Sequence, residues 1–592
     1  MKNYLMMIHI GPVQDFIASA RKLRDLWYGS YLLSELSKKV AQELYKKNAG
    51  LIFPYPENSE KDLHEESDMN VGNKVLATIQ SESPKLFFQD IKTELIKFWR
   101  EISKETIKRD KEYIDHKLFD IQINEFPEIY GAWVLMEDEI DYNNARKEVE
   151  SLLAARKCLR NFGQVDLSFF NDHGGLPKSS LDGVRESILH PDFRLSQGDR
   201  KKKGIKKYEE LDALGWVKRY GTDSQDRLPH FESFSDLAID PFYRGILKNK
   251  SIWDKLNKLH TLITENIPND ELSKIDSKYS DAPLKNIGPG ILFKSRFNAD
   301  HATDDSPISQ PKIKEITRHL QSIYKKAGGE PLPYASIIIG DGDWMGKSLS
   351  NLTEKKDHQR FSEALNKFAK GTKEVVDVKN KGRLIYSGGD DVLAFAPLDT
   401  TFQCAADLQK LFVETMTPVF PNNGSPTFSI GIAIVHHIQP MGFSIEMARS
   451  AERMAKDNGR NSLAVILAKR SGNPVEICQS WNSKFVERLD EWITCHREDL
   501  LPDKFAYELK RLSKILGDEL TFKDELPHSM QDYEFLRILN RKKAHGGKNE
   551  LDTQEINKII AAASSLNSLN DLANELIITK IVAQSQDQAE GK

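Results

Sequence analysis

A chain of 592 residues is too long for one core and should divide into several domains. Its 39% hydrophobic and 29% charged residues are those of a globular protein, and no apolar run reaches membrane-span length, so the cytoplasm is the expected compartment and no membrane partner is expected. The net charge of −4 does not mark a nucleic-acid binder, and four scattered cysteines (Cys158, Cys404, Cys478, Cys495) argue against a disulfide framework or a cysteine-built zinc site.

In chain order, YLMMIHI at 4–10 reads as a buried strand that Gly11-Pro12 breaks. The spacing of Val13, Phe16, Ile17, Ala20, Leu32, Leu33, Leu36 and Val40 then predicts helix to about Tyr45. Strands follow at 51–54, 74–79 and 129–136, which suggests a ferredoxin-like, palm-type sheet over 1–160 with helices on one face. Residues 161–330 are polar and punctuated by Gly and Pro, and read as a mainly helical insert. Within them the basic run from Arg200 to Lys207 reads as a solvated loop, with phosphate binding as the alternative.

From Tyr334 the strand–helix–strand–strand–helix–strand order returns. YASIIIG, RLIYS, VLAFAP, TFSIGIAIV and SLAVILA supply the strands of a second palm-type unit over 331–470. Residues 471–592 carry Leu and Ile at helical spacing and read as a helical C-terminal domain whose last residues, SQDQAEGK, look frayed. The fold class is therefore α+β: two ferredoxin-like palm domains, a helical insert and a helical C-terminal domain.

Acidic residues cluster twice in the second unit, as Asp341-Gly342-Asp343 after its first strand and as Gly388-Gly389-Asp390-Asp391 between the next two. In a ferredoxin-like sheet those strands are neighbours, so Asp341, Asp390 and Asp391 meet and repel one another unless a cation lies between them. Hard oxygen ligands suit Mg²⁺ or Mn²⁺, which also take up substrate phosphates. Gly388 and Gly389 permit a tight turn and close approach of a nucleotide. Further on, AKDNGRN ends a helix, and its Lys456 and Arg460 are candidates to hold phosphate charge; a helix C-cap explains Arg460 equally well, while the company of the acidic motifs favours the phosphate role for Lys456.

IYSGGDDVLAF, SIGIAIVHH and AKDNGRN resemble the core of the CRISPR polymerase/cyclase subunit, and more distantly the diguanylate cyclases. GPVQDFIASARKLRDLWYGSYLLSEL, GLPKSSLDGVRESIL and ELDALGWVKR are similar to stretches of the large subunit of the Cmr (type III-B) effector complex. The resemblance implies two facing palms with ATP between them. Asp341 and Asp390 or Asp391 would hold metal, Ser387 with the two glycines would line the nucleotide, and Lys456 would contact phosphate. It implies synthesis of cyclic oligoadenylate once a guide CRISPR RNA pairs with a target RNA, inside a complex with other Cmr subunits.

Against the family pattern, the chain starts close to the palm signature, which implies a form without the histidine–aspartate nuclease domain. The pairs Asp115-His116, Asp172-His173 and Asp300-His301 offer no convincing substitute. FFNDHGGLPKSS lacks the paired cysteines of relatives, so no zinc is expected. Some nuclease-less members join ATP to S-adenosylmethionine, and the motifs do not separate the two products. A template-dependent polymerase and a non-catalytic scaffold are the competing readings.

Overall fold

The computed structural model describes residues 1–592 apart from 65–66, 137–141, 160–174, 197–198, 201–202, 207, 222–232, 267–281, 285–286, 300–308, 421–423, 503, 523–526, 541–552 and 567. Asp172-His173, Asp300-His301, the stretch up to Gly174 where relatives carry paired cysteines and this chain does not, and Lys201, Lys202 and Lys207 of the basic run lie outside the described residues.

The first unit is built on β1 (Lys2–Gly11), β2 (Gly50–Phe53), β3 (Lys74–Ser81) and β4 (Glu128–Leu135), in the antiparallel order β2-β3-β1-β4. The predicted first helix is two, α1 (Gln14–Ala18) and α2 (Leu23–Lys46), because the chain turns extended at Lys22 before α2 begins. Successive residues of β1 serve opposite faces. Met6, Ile8 and Ile10 pack with α2 and with α3 (Pro84–Glu105), whereas Leu5 and Met7 pack with α4 (Tyr142–Cys158). Helices thus cover both faces, not the one expected, since a strand apolar on both sides must be buried on both.

The second sheet is formed by β5 (Tyr334–Asp343), β6 (Arg383–Gly388), β7 (Asp391–Pro397), β8 (Thr427–His436), β9 (Ser462–Ala468) and β10 (Val475–Ser480), in the order β10-β9-β8-β5-β7-β6. Its β6-β7-β5-β8 core repeats the order of the first sheet; β9 adds parallel to β8, and β10 carries the sheet past residue 470 into the segment expected to be helical. One face packs Ile430, Ile432 and Val465 on Phe361, Leu365 and Phe412. On the other lies α5 (Met441–Asp457), with Ala451 and Ala455 against Ala464 and Ile466.

The two units touch directly: Tyr55 N donates to Ser362 Oγ at 2.8 Å, and Gln359 Nε2 to the Leu51 carbonyl at 3.1 Å. The insert is pinned to the first unit by buried charge. Arg219 grips Asp25 through two 2.7 Å hydrogen bonds, and the buried Lys218 ammonium donates to the Phe16 carbonyl at 2.7 Å. The basic run belongs partly to this framework and is not simply a solvated loop. Arg200 is buried and donates to the Lys206 carbonyl at 3.0 Å, while Lys203 pairs with Asp110. The chain end is not frayed either. A final helix, Leu569–Glu590, has buried residues from Leu569 to Ala589 and meets Gly245 of the insert through its Gln588 carbonyl.

Candidate active site

Antiparallel pairing of β5 with β7 brings Gly340 opposite Val392, so the chain leaves β5 at Asp341 beside the β6–β7 turn. The glycines make this closeness possible. A Cβ on Gly342 would lie 2.9 Å from the Asp390 Cβ, so a side chain here would push the turn away. Gly389 takes φ +68°, and a Cβ on Gly388 would strike the Tyr386 hydroxyl at 2.1 Å and its ring at 2.3 Å. The sheet topology has therefore gathered Asp341, Asp390 and Asp391 as the spacing predicts.

Electrostatics follow from that gathering. Burial, then the charge of Asp341, raises the Asp390 carboxyl well above the usual carboxylate range. Asp391 is raised too, by burial of its surroundings and then by Asp390 and Asp341; its side chain reaches solvent, which screens part of the effect. The Lys456 ammonium bridges Asp341 at 2.5 Å and Glu452, one helical turn earlier on α5, at 2.6 Å. Two carboxylates match the share of ligands that Mg²⁺ or Mn²⁺ takes from protein, water and phosphate oxygens supplying the rest. Among the described residues no group of three or more His, Cys, Asp or Glu stands placed to hold a metal by itself.

The other expected residues divide. Ser387 is buried on β6 and its hydroxyl has no partner among the described residues. Asp343 is buried and committed to the fold: it accepts from Thr427 Oγ1 and Ser429 Oγ at 2.8 Å and from Asn461 N at 2.9 Å, tying β5 to β8 and to the loop before β9. Arg460 lies not on a carboxylate but over Trp344, its guanidinium carbon 3.9 Å from the ring centroid. Asp115-His116 is a helix start: Asp115 caps residues 116–124 by accepting from Leu118 N at 3.0 Å.

Reading the motifs missed Glu452 and a counterpart in the first unit. Ile8 pairs with Val75 and His9 with Lys74 as Gly340 pairs with Val392, so His9 and Lys74 occupy the positions of Asp341 and Asp391. The helices α4 and α5 both run for 17 residues and carry a lysine at the penultimate position, Lys157 and Lys456. Lys157 Nζ lies 3.2 Å and Asn73 Nδ2 3.1 Å from His9 Nε2, so that nitrogen accepts and the proton rests on Nδ1. Burial, then Lys157 and Lys74, lowers the His9 pKa to about 4. The field of Lys74 reaches Asp390, so the basic edge of the first unit faces the acidic edge of the second. The signal was available in the parallel strand ends MIHIGPVQ and IIIGDGDW, but only the shared register equates their residues.

Comparison with known proteins agrees with this architecture. Residues 334–464 match the family described as Cas10/Cmr2, second palm domain, and residues 5–104 match CRISPR-associated protein Cmr2, N-terminal. The CRISPR system Cmr subunit Cmr2 of Pyrococcus furiosus is 24% identical, over 94% of this chain and 70% of its own length. A type III-B Cmr-beta chain in the apo state has a TM-score of 0.62 at 13% identity, covering 94% of this chain and 78% of that one. A Cmr-beta chain from the complex bound to cognate target RNA gives 0.62 at 14% identity, covering 94% and 80%. Both show the shared fold. No helix among the described residues is long and apolar enough to cross a membrane.

Proposed function

We propose that this chain, a large Cmr subunit by its two matched domains, is an RNA-activated, ATP-consuming nucleotidyltransferase that makes cyclic oligoadenylate second messengers in a type III CRISPR complex. The observation that carries the reading is the acidic edge of Asp341, Asp390 and Asp391 with the basic first-palm edge near enough for Lys74 to act on Asp390. Two ATP molecules lie across the palms. A divalent cation held by Asp341 with Asp390 or Asp391 would neutralise charge on the α-phosphate and the departing pyrophosphate.

The chain's own groups do the positioning. Lys456 stands beside Asp341 and would meet a phosphate oxygen there, with Glu452 keeping it oriented. Gly342, Gly388 and Gly389 leave the turn bare for the nucleotide, and Ser387 offers a buried hydroxyl beside it. Lys74 and Lys157 present positive charge to the second triphosphate, while His9, held neutral, adds no charge of its own. A 3′-hydroxyl of one nucleotide attacks the α-phosphate of the other: its O–H proton passes to water, one P–O bond forms, and the P–O bond to pyrophosphate breaks, pyrophosphate leaving. Partners in this reading are the other Cmr subunits, the guide CRISPR RNA and the target RNA.

The test is mass spectrometry of products from the guide-loaded complex given target RNA, ATP and Mg²⁺ or Mn²⁺, with and without S-adenosylmethionine. Rings of AMP in both mixtures are expected, and replacing Asp390 and Asp391 by Asn should abolish them while assembly survives. An adduct formed only with S-adenosylmethionine would replace the cyclic product by a conjugate. Unchanged rings from the double variant would remove the site from this account.

A further inference from the structure

Trp344, directly after β5, and Arg460, directly after the turn that ends α5, stack on each other without being consumed by the site above. Both hold left-handed backbone, at φ +59° and +67°, which bulky side chains rarely adopt. The Trp344 ring is 57% exposed. A tryptophan serving only the core would be buried; this one is presented outward at the end of the strand that carries Asp341. The Arg460 guanidinium covers one face at 3.9 Å, and the Lys347 ammonium stands further off at 5.9 Å. Among the described residues nothing accepts a hydrogen bond from the Arg460 guanidinium. Stacked on a ring, a guanidinium keeps its in-plane N–H groups available, a geometry that suits phosphate.

The pair therefore offers an open aromatic face and a fork of cationic donors side by side. It stands three residues along the chain from Asp341 and four from Lys456. A ligand answering both features has a flat π-system joined to phosphate. We propose that Trp344 and Arg460 form a clamp in which the Trp344 face stacks on the base of a nucleotide bound at the Asp341–Asp390 edge and Arg460 donates in-plane to its phosphates. This inference rests on the nucleotidyltransferase reading and adds to it a base-binding element. Stacking is tolerant of base identity, so the clamp adds affinity for any nucleoside triphosphate and leaves the choice of adenine to other residues.

The test is equilibrium binding of a non-hydrolysable ATP analogue and of inorganic tripolyphosphate to the full chain, as wild type, Trp344→Ala, Trp344→Phe and Arg460→Lys. Loss of the indole should weaken the ATP analogue by roughly fivefold or more and leave tripolyphosphate unchanged, and Trp344→Phe should restore most of the loss. Arg460→Lys should weaken both ligands, since lysine neither stacks flat nor forks. Trp344→Ala binding the analogue like wild type overturns the clamp, as does an equal loss for both ligands, which signals a structural role only. Wild-type chain that binds tripolyphosphate as tightly as the analogue also overturns it while leaving the nucleotidyltransferase reading standing; binding of neither ligand overturns both.

Discussion

Asp390 and Asp391 show how a single turn can be both unfavourable and necessary. Their carboxyls hold protons more tightly in the folded chain than in the unfolded one, by burial and by the nearby charge of Asp341. A carboxyl whose folded pKa is raised contributes stability below its unfolded value of 3.8, and that contribution is lost as pH rises through the folded pKa. At neutral pH the pair is therefore a liability, so Asp390→Asn with Asp391→Asn should raise the melting temperature of the metal-free protein by about 1–3 °C at pH 8. The gain should vanish near pH 4 in scanning calorimetry. A double variant less stable than wild type at pH 8 would contradict this electrostatic picture. Lys456 relieves part of the repulsion by pairing with Asp341, the role a cation would otherwise fill.

Helix placement decides whether those residues meet, and two glycines report on it. At Gly431 of β8 a Cβ would lie 2.1 Å from the backbone nitrogen of Glu452, so α5 rests directly on the strand and sets where Glu452 and Lys456 stand. At Gly245 of the insert a Cβ would lie 1.8 Å from the Gln588 carbonyl, so the last helix docks just as tightly, far from the acids in the chain. Backbone cannot yield as a flexible side chain can, so Gly431→Ala and Gly245→Ala should each cost about 1–3 kcal/mol or more in denaturant unfolding. Only Gly431→Ala should also lower ATP turnover of the folded fraction, because only that helix carries Lys456. Equal effects on turnover would show that the site depends on global packing and not on α5.

For the molecule as a whole, buried neutral histidines set the response to acid. Burial, then Lys157 and Lys74, lowers His9 to about 4; burial, then Arg470, lowers His436 to about 4; burial, then His436 and the arginines Arg296 and Arg470, lowers His437 to about 3. A histidine with a lowered folded pKa contributes stability that is full above its unfolded value of 6.5 and lost as pH falls toward the folded value. These histidines should therefore lower the melting temperature from pH 7 to pH 4.5, against the opposite trend from Asp390 and Asp391, which the double Asn variant removes. His437 sits between Phe293, stacked at 4.0 Å, and the Ser235 hydroxyl at 2.9 Å. His437→Gln should start lower yet show a shallower fall over this range, and an unchanged slope would exclude it as a contributor.

Much of this was legible from the chain alone because the signals are local. Buried β-branched runs such as YASIIIG must be strands, Gly388-Gly389 must be a turn, and acids on either side of a strand must meet if the order is ferredoxin-like. What the chain could not show depends on contacts distant in sequence. Asp343 and Arg460 carry the same chemistry in the sequence as Asp341 and Lys456, but hydrogen bonds from β8 claim the first and the Trp344 ring claims the second. The burial of Arg200, the docking of the chain end on Gly245, and the equivalence of His9 and Lys157 with Asp341 and Lys456 likewise emerge only from packing. The sequence by itself determined two palm sheets and an acidic turn, since strand periodicity and turn chemistry act over a few residues. Tertiary structure alone decided which charges stay free to act, since a side chain's availability depends on whatever the rest of the fold brings against it.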